Sequence, residues 1–184
     1  DNKVGRIDLL SIGRIHPRKG FDQVLQALQG LSIEEKGVLK YTIAGSRCKN
    51  RYEHKLRELA KQSGCQVHFK LDPSDAELID LYEKANLFAL TSVPHRKSVE
   101  GFGLVYLEAA AFGIPSIAYH VGGVEAAVLD GETGYLLSVQ DPKSITEHLR
   151  TIIQNPHVLQ TLGTQARKRA LSRSWSDVAS ESLS

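Results

Sequence analysis

Apolar residues along this chain recur in two alternating rhythms. Short strand-like runs, most of them largely apolar, occupy Ile7–Ile12, Tyr41–Ala44, Gln66–Lys70, Leu87–Leu90, Ser116–Tyr119 and Tyr135–Leu137. Between them the spacing widens to one face of a helix: Val24, Leu25, Leu28 and Leu31, then Leu56, Leu59 and Ala60, then Leu78, Leu81 and Tyr82, then Leu104–Phe112. The short runs suit strands, and repeats three and four residues apart suit amphipathic helices. Polar punctuation agrees with this division. Ser74-Asp75-Ala76-Glu77 forms a capping box, in which the Ser and Glu side chains satisfy backbone N–H groups at a helix start. Asp141-Pro142 and Asn155-Pro156 each set a capping side chain before a proline at the first helical position, which predicts two further helix starts.

Strands this continuously apolar are covered on both faces. Their alternation with helical segments predicts an α/β fold: a Rossmann-like, doubly wound parallel sheet of about six strands with helices on both faces. Nothing along residues 1–184 reads as a repeat, a low-complexity tract or an interior linker, so one domain is expected. In such sheets ligands bind beyond the carboxyl ends of the strands, which directs attention to the loops that follow them.

Composition narrows the classes. A compact chain of 184 residues buries roughly 70% of its unfolded surface, enough for a sizeable core. The net charge of +2 gives no reason to expect a nucleic-acid partner. No apolar run approaches the roughly 18 residues of a membrane span, and no secretory leader pattern opens the sequence. Cys48 and Cys65 have no C-x-x-C spacing and no histidine cluster beside them, and they read as reduced thiols of a cytoplasmic protein. The sequence starts at Asp1 and holds no Met, as expected of a piece cut from a longer protein.

Two loops carry candidate chemistry. After the first strand comes Gly13-Arg14-Ile15-His16-Pro17-Arg18-Lys19-Gly20, in which two glycines bracket three cations ahead of a helix. A helix N-terminus offers free N–H groups and positive partial charge, which suit a phosphate. Arg14 would bind its oxygens in a fork and Lys19 as a point charge. A solvated basic turn is the alternative, and the spacing is not that of a Walker A loop.

The loop after the fourth strand is more specific. It runs Glu100-Gly101-Phe102-Gly103-Leu104-Val105-Tyr106-Leu107-Glu108 into an apolar helix. Gly101 and Gly103 allow a ligand close to the backbone. Glu108 lies one turn beyond Leu104, and its side chain leans back toward the helix start. Its apolar neighbours predict substantial burial, which a carboxylate tolerates only when paired. A ligand diol is one partner; an internal Lys or Arg, or a backbone cap, is the other. A dinucleotide site is disfavoured, because Tyr106 stands where that fingerprint needs a small residue.

Glu100–Glu108 resembles the E-x7-E motif of the retaining GT-B glycosyltransferases, specifically glycosyltransferase family 4. The likeness runs through nearly the whole chain, in order: Gly13-Arg14 with Lys19-Gly20, Ile43-Ala44-Gly45, Asp75–Leu78 with Leu81-Tyr82, Glu108–Pro115, Gly122-Gly123-Val124-Glu125, Asp130-Gly131-x-Thr133-Gly134 and Trp175. The resemblance implies the C-terminal, donor-binding lobe of an enzyme that transfers a hexosyl group from a nucleotide-diphosphate sugar to an acceptor hydroxyl. It implies that Arg14, Lys19 and Glu100 are catalytic, with Arg14 and Lys19 on the diphosphate and Glu100 on the sugar. Gly13, Gly101, Phe102, Gly103, Leu104 and Glu108 would bind the substrate, Glu108 through the ribose hydroxyls.

No cofactor and no metal are expected, since the sequence has no D-x-D and no histidines at ligand spacing. The expected partners are the nucleotide sugar and an N-terminal acceptor lobe, which lies outside this chain and would make any peripheral membrane contact. The isolated fragment is therefore expected to be inactive. Alternatives are a non-catalytic nucleotide-sugar-binding module and a GT-B nucleotide-sugar epimerase. One departure from the family pattern is the basic loop His95-Arg96-Lys97, which suits either an anionic acceptor or solvent.

Overall fold

The protein was analysed as a computed structural model, which describes residues 5–47, 51–93, 103–138 and 140–173. Six strands form one sheet: β1 (Ile7–Ile12), β2 (Leu39–Gly45), β3 (Gln66–Leu71), β4 (Leu87–Leu90), β5 (Ser116–Tyr119) and β6 (Gly134–Leu137). Every pairing is parallel, and the order is β3-β2-β1-β4-β5-β6. The helices are α1 (Phe21–Gln29), α2 (Ile33–Gly37), α3 (Tyr52–Ser63), α4 (Asp75–Lys84), α5 (Leu104–Ala111), α6 (Val124–Ala127), α7 (Pro142–Gln154) and α8 (His157–Ser172). This is the doubly wound architecture that the alternating rhythms predict.

Burial explains which segments became which element. The four residues of β4 and of β5 are buried throughout, as central strands covered on both faces must be. At the sheet's edge, β3 is only partly covered. There the Arg57 guanidinium lies over the Phe69 ring, 4.5 Å from its centroid. On α1, Phe21, Val24, Leu25 and Leu28 turn one apolar stripe wholly inward. Burying each such side chain stabilises the fold by roughly 1.5–3 kcal/mol. The stripe of α7, Ile145, Leu149 and Ile152, is equally buried, and Thr146 Oγ1 there donates to the Ala27 carbonyl at 2.8 Å. In the middle of the sheet, the Ser11 hydroxyl donates to the Ala89 carbonyl and is 2.8 Å from the Tyr41 hydroxyl. That polar chain crosses β2, β1 and β4 inside the core, where each group must find a partner.

Two local expectations need correction, and two short helices were not expected. The Ser74/Glu77 capping box forms, as does the cap by Asp141 on Lys143 N–H. Asn155, however, does not cap α8. Its N–H closes the end of α7 on the Thr151 carbonyl, and α8 starts at His157 behind Pro156 with no side-chain cap. The segment Leu104–Phe112 is helical only through Ala111, with Phe112 as the closing residue. The five-residue α2 and four-residue α6 are too short to show a period. A second capping box, Ser32 with Glu35, starts α2.

Candidate functional site

The order of the sheet fixes where a site can form. From β1 the chain moves outward to β2 and β3, then returns past its start to place β4 on the other side of β1. The crevice beyond the carboxyl ends of β1 and β4 is thus the switch point at which doubly wound sheets bind ligands. Both candidate loops leave from these two strands. Gly13, Arg14 and Lys19 follow β1, and Gly103, Leu104 and Glu108 follow β4 at the start of α5. Glu100, Gly101, Phe102 and the basic loop His95-Arg96-Lys97 lie outside the described residues, as does Cys48.

The cation loop is built by backbone. Pro17–Lys19 makes one 3-10 turn, capped by His16, whose Nδ1 accepts from Arg18 N–H at 3.2 Å. Gly20 then takes the left-handed conformation (φ 69°) and opens α1. A β-carbon there would overlap the carbonyl of Thr91, just past β4, so glycine is required twice over. Thr91 Oγ1 donates to the Gly20 carbonyl at 2.8 Å, and Val93 N–H donates to the Arg18 carbonyl at 2.9 Å. These contacts lace the loop after β1 to the loop after β4.

On the other side, Gly13 N–H donates to Ala44 and Ile15 N–H to Ser46, both at 3.0 Å. Gly45 approaches Gly13 so closely that a β-carbon would overlap its carbonyl. The stem of Lys19 lies 3.5 Å from where a β-carbon on Gly13 would stand, so Lys19 folds back over Gly13. Arg14 is exposed, and it borders a cavity of about 460 Å3 shared with Gly45, Ser46, Asp72, Pro73 and Leu78.

Asp72 carried no signal in the sequence. It is the one non-glycine residue with positive φ (50°) among the described residues. Its N–H donates to the Gly45 carbonyl and its carboxylate accepts from Arg47 N–H, each at 3.0 Å. These bonds to the distant end of β2 hold the residue in the left-handed region, which Asp enters more readily than most side chains.

The α5 side differs from expectation at Glu108. The carboxylate is exposed, because α5 turns Tyr106, Ala109 and Ala110 inward and leaves Leu104 and Glu108 on the opposite face. Among the described residues its partner is neither Lys nor Arg. Tyr82 Oη, on α4, donates to Glu108 Oε2 at 2.9 Å. Burial, reinforced by the Glu108 charge, pushes the Tyr82 hydroxyl well above its ordinary range, so the phenol remains the donor. Tyr82 is fixed in turn by stacking on Phe112, with centroids 5.0 Å apart. Glu108 borders a groove that meets the Arg14 cavity at Leu78, which lines both. Gly103 starts α5 with no capping side chain among the described residues, leaving the amides of the first turn open to an anion.

The fold and these loops have known counterparts. Residues 1–169 match the family described as glycosyl transferases group 1. The chain belongs to the group 1 glycosyltransferases. One relative is the D-inositol 3-phosphate glycosyltransferase of Rhodococcus erythropolis, 33% identical over 180 residues, covering 95% of this chain and 40% of the relative. Among solved structures, HepE of Anabaena, crystallised with UDP and glucose, superposes with a TM-score of 0.81 at 21% identity, over 97% of this chain and 47% of HepE. Sucrose-phosphate synthase of Thermosynechococcus elongatus superposes with a TM-score of 0.77 at 27% identity, over 96% of this chain and 43% of the synthase. The chain thus has the fold of the GT-B C-terminal lobe and spans about 40% of the length of its group 1 relatives.

Other group 1 features resolve into supports. Asp130-Gly131-x-Thr133-Gly134 is the turn into β6: Asp130 Oδ1 accepts from Leu136 N–H and Thr133 Oγ1 from Leu129 N–H, each at 2.9 Å. Gly123 precedes α6, whose Ala127 methyl sits 3.8 Å from a β-carbon placed on Gly103. Among the described residues there is no group of His, Cys, Asp and Glu able to hold a metal ion, and no helix long and apolar enough to cross a membrane. Cys65 is a free, half-buried thiol whose pKa burial raises.

Proposed function

We propose that this chain is the donor-binding lobe of a cytoplasmic, retaining glycosyltransferase of family 4, which transfers a hexosyl group from a nucleotide-diphosphate sugar to an acceptor hydroxyl. The observation that carries the reading is the switch point itself: a cation loop on one side and the uncapped start of α5 on the other, with Glu108 one turn further. In this reading Arg14, Lys19 and the first amides of α5 hold the diphosphate. They take up its charge as the bond from the sugar's anomeric carbon to the phosphate oxygen breaks, so no metal ion is needed. Glu108 accepts from the ribose hydroxyls, and Glu100 from those of the transferred sugar. The acceptor hydroxyl arrives from a second lobe, without which attack geometry is not assembled and this chain alone does not transfer.

UDP and UDP-glucose are the first probes, because HepE binds UDP. Calorimetry in EDTA is expected to show nucleoside diphosphate binding, and a signal that needs Mg2+ or Mn2+ would overturn the metal-free reading. Glu108→Gln keeps the shape but weakens charge-assisted bonds, so it is expected to cost about 1.5–3 kcal/mol of nucleotide affinity. A fall in melting temperature without loss of affinity would make Glu108 a structural residue instead.

A further inference from the structure

Glu108 is held by a group of the same chemistry as a ligand hydroxyl. The one hydrogen bond to its carboxylate among the described residues comes from Tyr82, whose Oη reaches Oε2 at 2.9 Å. The two partners differ in freedom. The Tyr82 ring is 6% exposed and clamped by aromatic neighbours, its centroid 5.0 Å from that of Phe112 and 6.5 Å from that of Phe88. Glu108 stands exposed on α5 at the end of a long side chain, so the carboxylate has come to the phenol. Burial and the Glu108 charge keep that phenol protonated, which leaves it a donor.

Both side chains line the same groove, so a ligand that reaches Glu108 meets Tyr82 as well. Oε2 is taken by Tyr82, whereas Oε1 has no protein partner among the described residues. A ligand with a single hydroxyl uses Oε1 and leaves the pair intact. A vicinal diol presents two donors to two oxygens, and its second hydroxyl competes with Tyr82 for Oε2. One O–H donor then replaces another, so the second bond adds little net affinity.

We infer that the Tyr82 hydroxyl is a built-in competitor for the second hydroxyl of a vicinal diol, which makes Tyr82 a specificity-determining residue for the sugar of the nucleotide. The inference rests on the proposed reading in which Glu108 accepts the ribose hydroxyls. The Tyr82–Glu108 bond then exists in the empty chain and beside a single ligand hydroxyl, and is absent when the diol is bound. Whatever stability Tyr82→Phe removes from the empty fold therefore reappears as affinity for the diol, by thermodynamic linkage.

The test is calorimetry with UDP, GDP, ADP and their 2′-deoxy forms on the unaltered chain, Tyr82→Phe and Glu108→Gln. Tyr82→Phe is expected to bind the best of these ribonucleotides about fivefold more tightly and its 2′-deoxy form equally well, which widens the ratio between them. Thermal melts give a second readout. The variant should melt below the unaltered chain when empty or saturated with the deoxy form, and level with it when saturated with the ribonucleotide. Weaker ribonucleotide binding by Tyr82→Phe would make Tyr82 an orienting partner of Glu108 and overturn the inference. Unchanged binding would mean that Oε2 accepts both donors at once, and would overturn it too. If no ribonucleotide binds the unaltered chain, or if Glu108→Gln binds as tightly, the proposed role of Glu108 falls and the inference with it.

Discussion

The two sides of the switch point are held by different means. Around Arg14 and Lys19, backbone locks backbone: Gly20 against Thr91, Gly45 against Gly13, and Val93 on Arg18. Around Glu108, one side-chain hydrogen bond from Tyr82 sets the carboxylate. Under the proposed function Arg14 and Lys19 meet a diphosphate, and such cations gain from a frame that does not reorganise. Under the same proposal Glu108 accepts ligand hydroxyls, which needs less rigidity, since the Tyr82 hydroxyl can be exchanged for a ligand hydroxyl of the same kind. On the first side the backbone frame is therefore exposed to damage through folding and the exposed Arg14 through binding, whereas on the second a single hydrogen bond serves both.

Gly20→Ala should break the comparison most severely. The added methyl meets the Thr91 carbonyl at a left-handed backbone, so urea denaturation should show a loss of about 3 kcal/mol or more. A stable, nucleotide-binding Gly20→Ala variant would show that the lacing between the two loops is dispensable. Arg14→Ala should do the opposite. The side chain is exposed, so the melting temperature should hold while nucleoside diphosphate affinity falls by about 1.5–3 kcal/mol in calorimetry.

Tyr82→Phe sharpens the other side. Removing the hydroxyl takes one hydrogen bond from the fold but keeps the ring stacked on Phe112, for a stability loss of about 1 kcal/mol. A loss no greater than that of an exposed control substitution would mean that the Tyr82–Glu108 bond does not hold α4 to α5.

The smallest effect belongs to Glu77, which closes the α4 capping box. The Lys70 ammonium, followed by the hydrogen bonds from Ser74, draws its carboxyl down to about 2 from 4.5. A depressed folded pKa adds stability above the unfolded value and loses it as pH falls from about 4.5 toward 2. Glu77→Gln should therefore flatten the acid limb of the stability curve in that window and leave pH 7 binding untouched. Because the group is exposed, salt should shrink the difference.

What was legible in the sequence follows the same division. Strands buried on both faces announce themselves as unbroken apolar runs, which is why Leu87–Leu90 and Ser116–Tyr119 match the structure end to end. The glycines and cations of residues 13–20 were legible because each residue type does something that few others can. Glu108 was misread as buried, since every residue of α5 except Glu108 is apolar and the hydrophobic pattern does not say which face turns inward. Packing decides that, through Tyr106, Ala109 and Ala110. Tyr82 as its partner and Asp72 at positive φ depend on contacts between segments far apart in the chain, which no local pattern encodes. Asn155 failed for a related reason: two helices compete for it, and α7 takes its backbone.

The strand order also sets a sequence of events in time. β1 and β4 pair across long stretches of chain, with Ser11 and Ala89 separated by 78 positions. Non-local parallel pairings of this sort close slowly, since the entropy of a long loop is lost before any contact compensates for it. β1, β2 and β3 can assemble from sequence already made, but the crevice does not exist until β4 docks beside β1. Thr91, which holds Gly20, sits one residue beyond β4, so the frame of the cation loop is set in the same step that joins the two halves of the sheet. A ligand that bridges the crevice would hold the two halves of the sheet together across the β1–β4 seam.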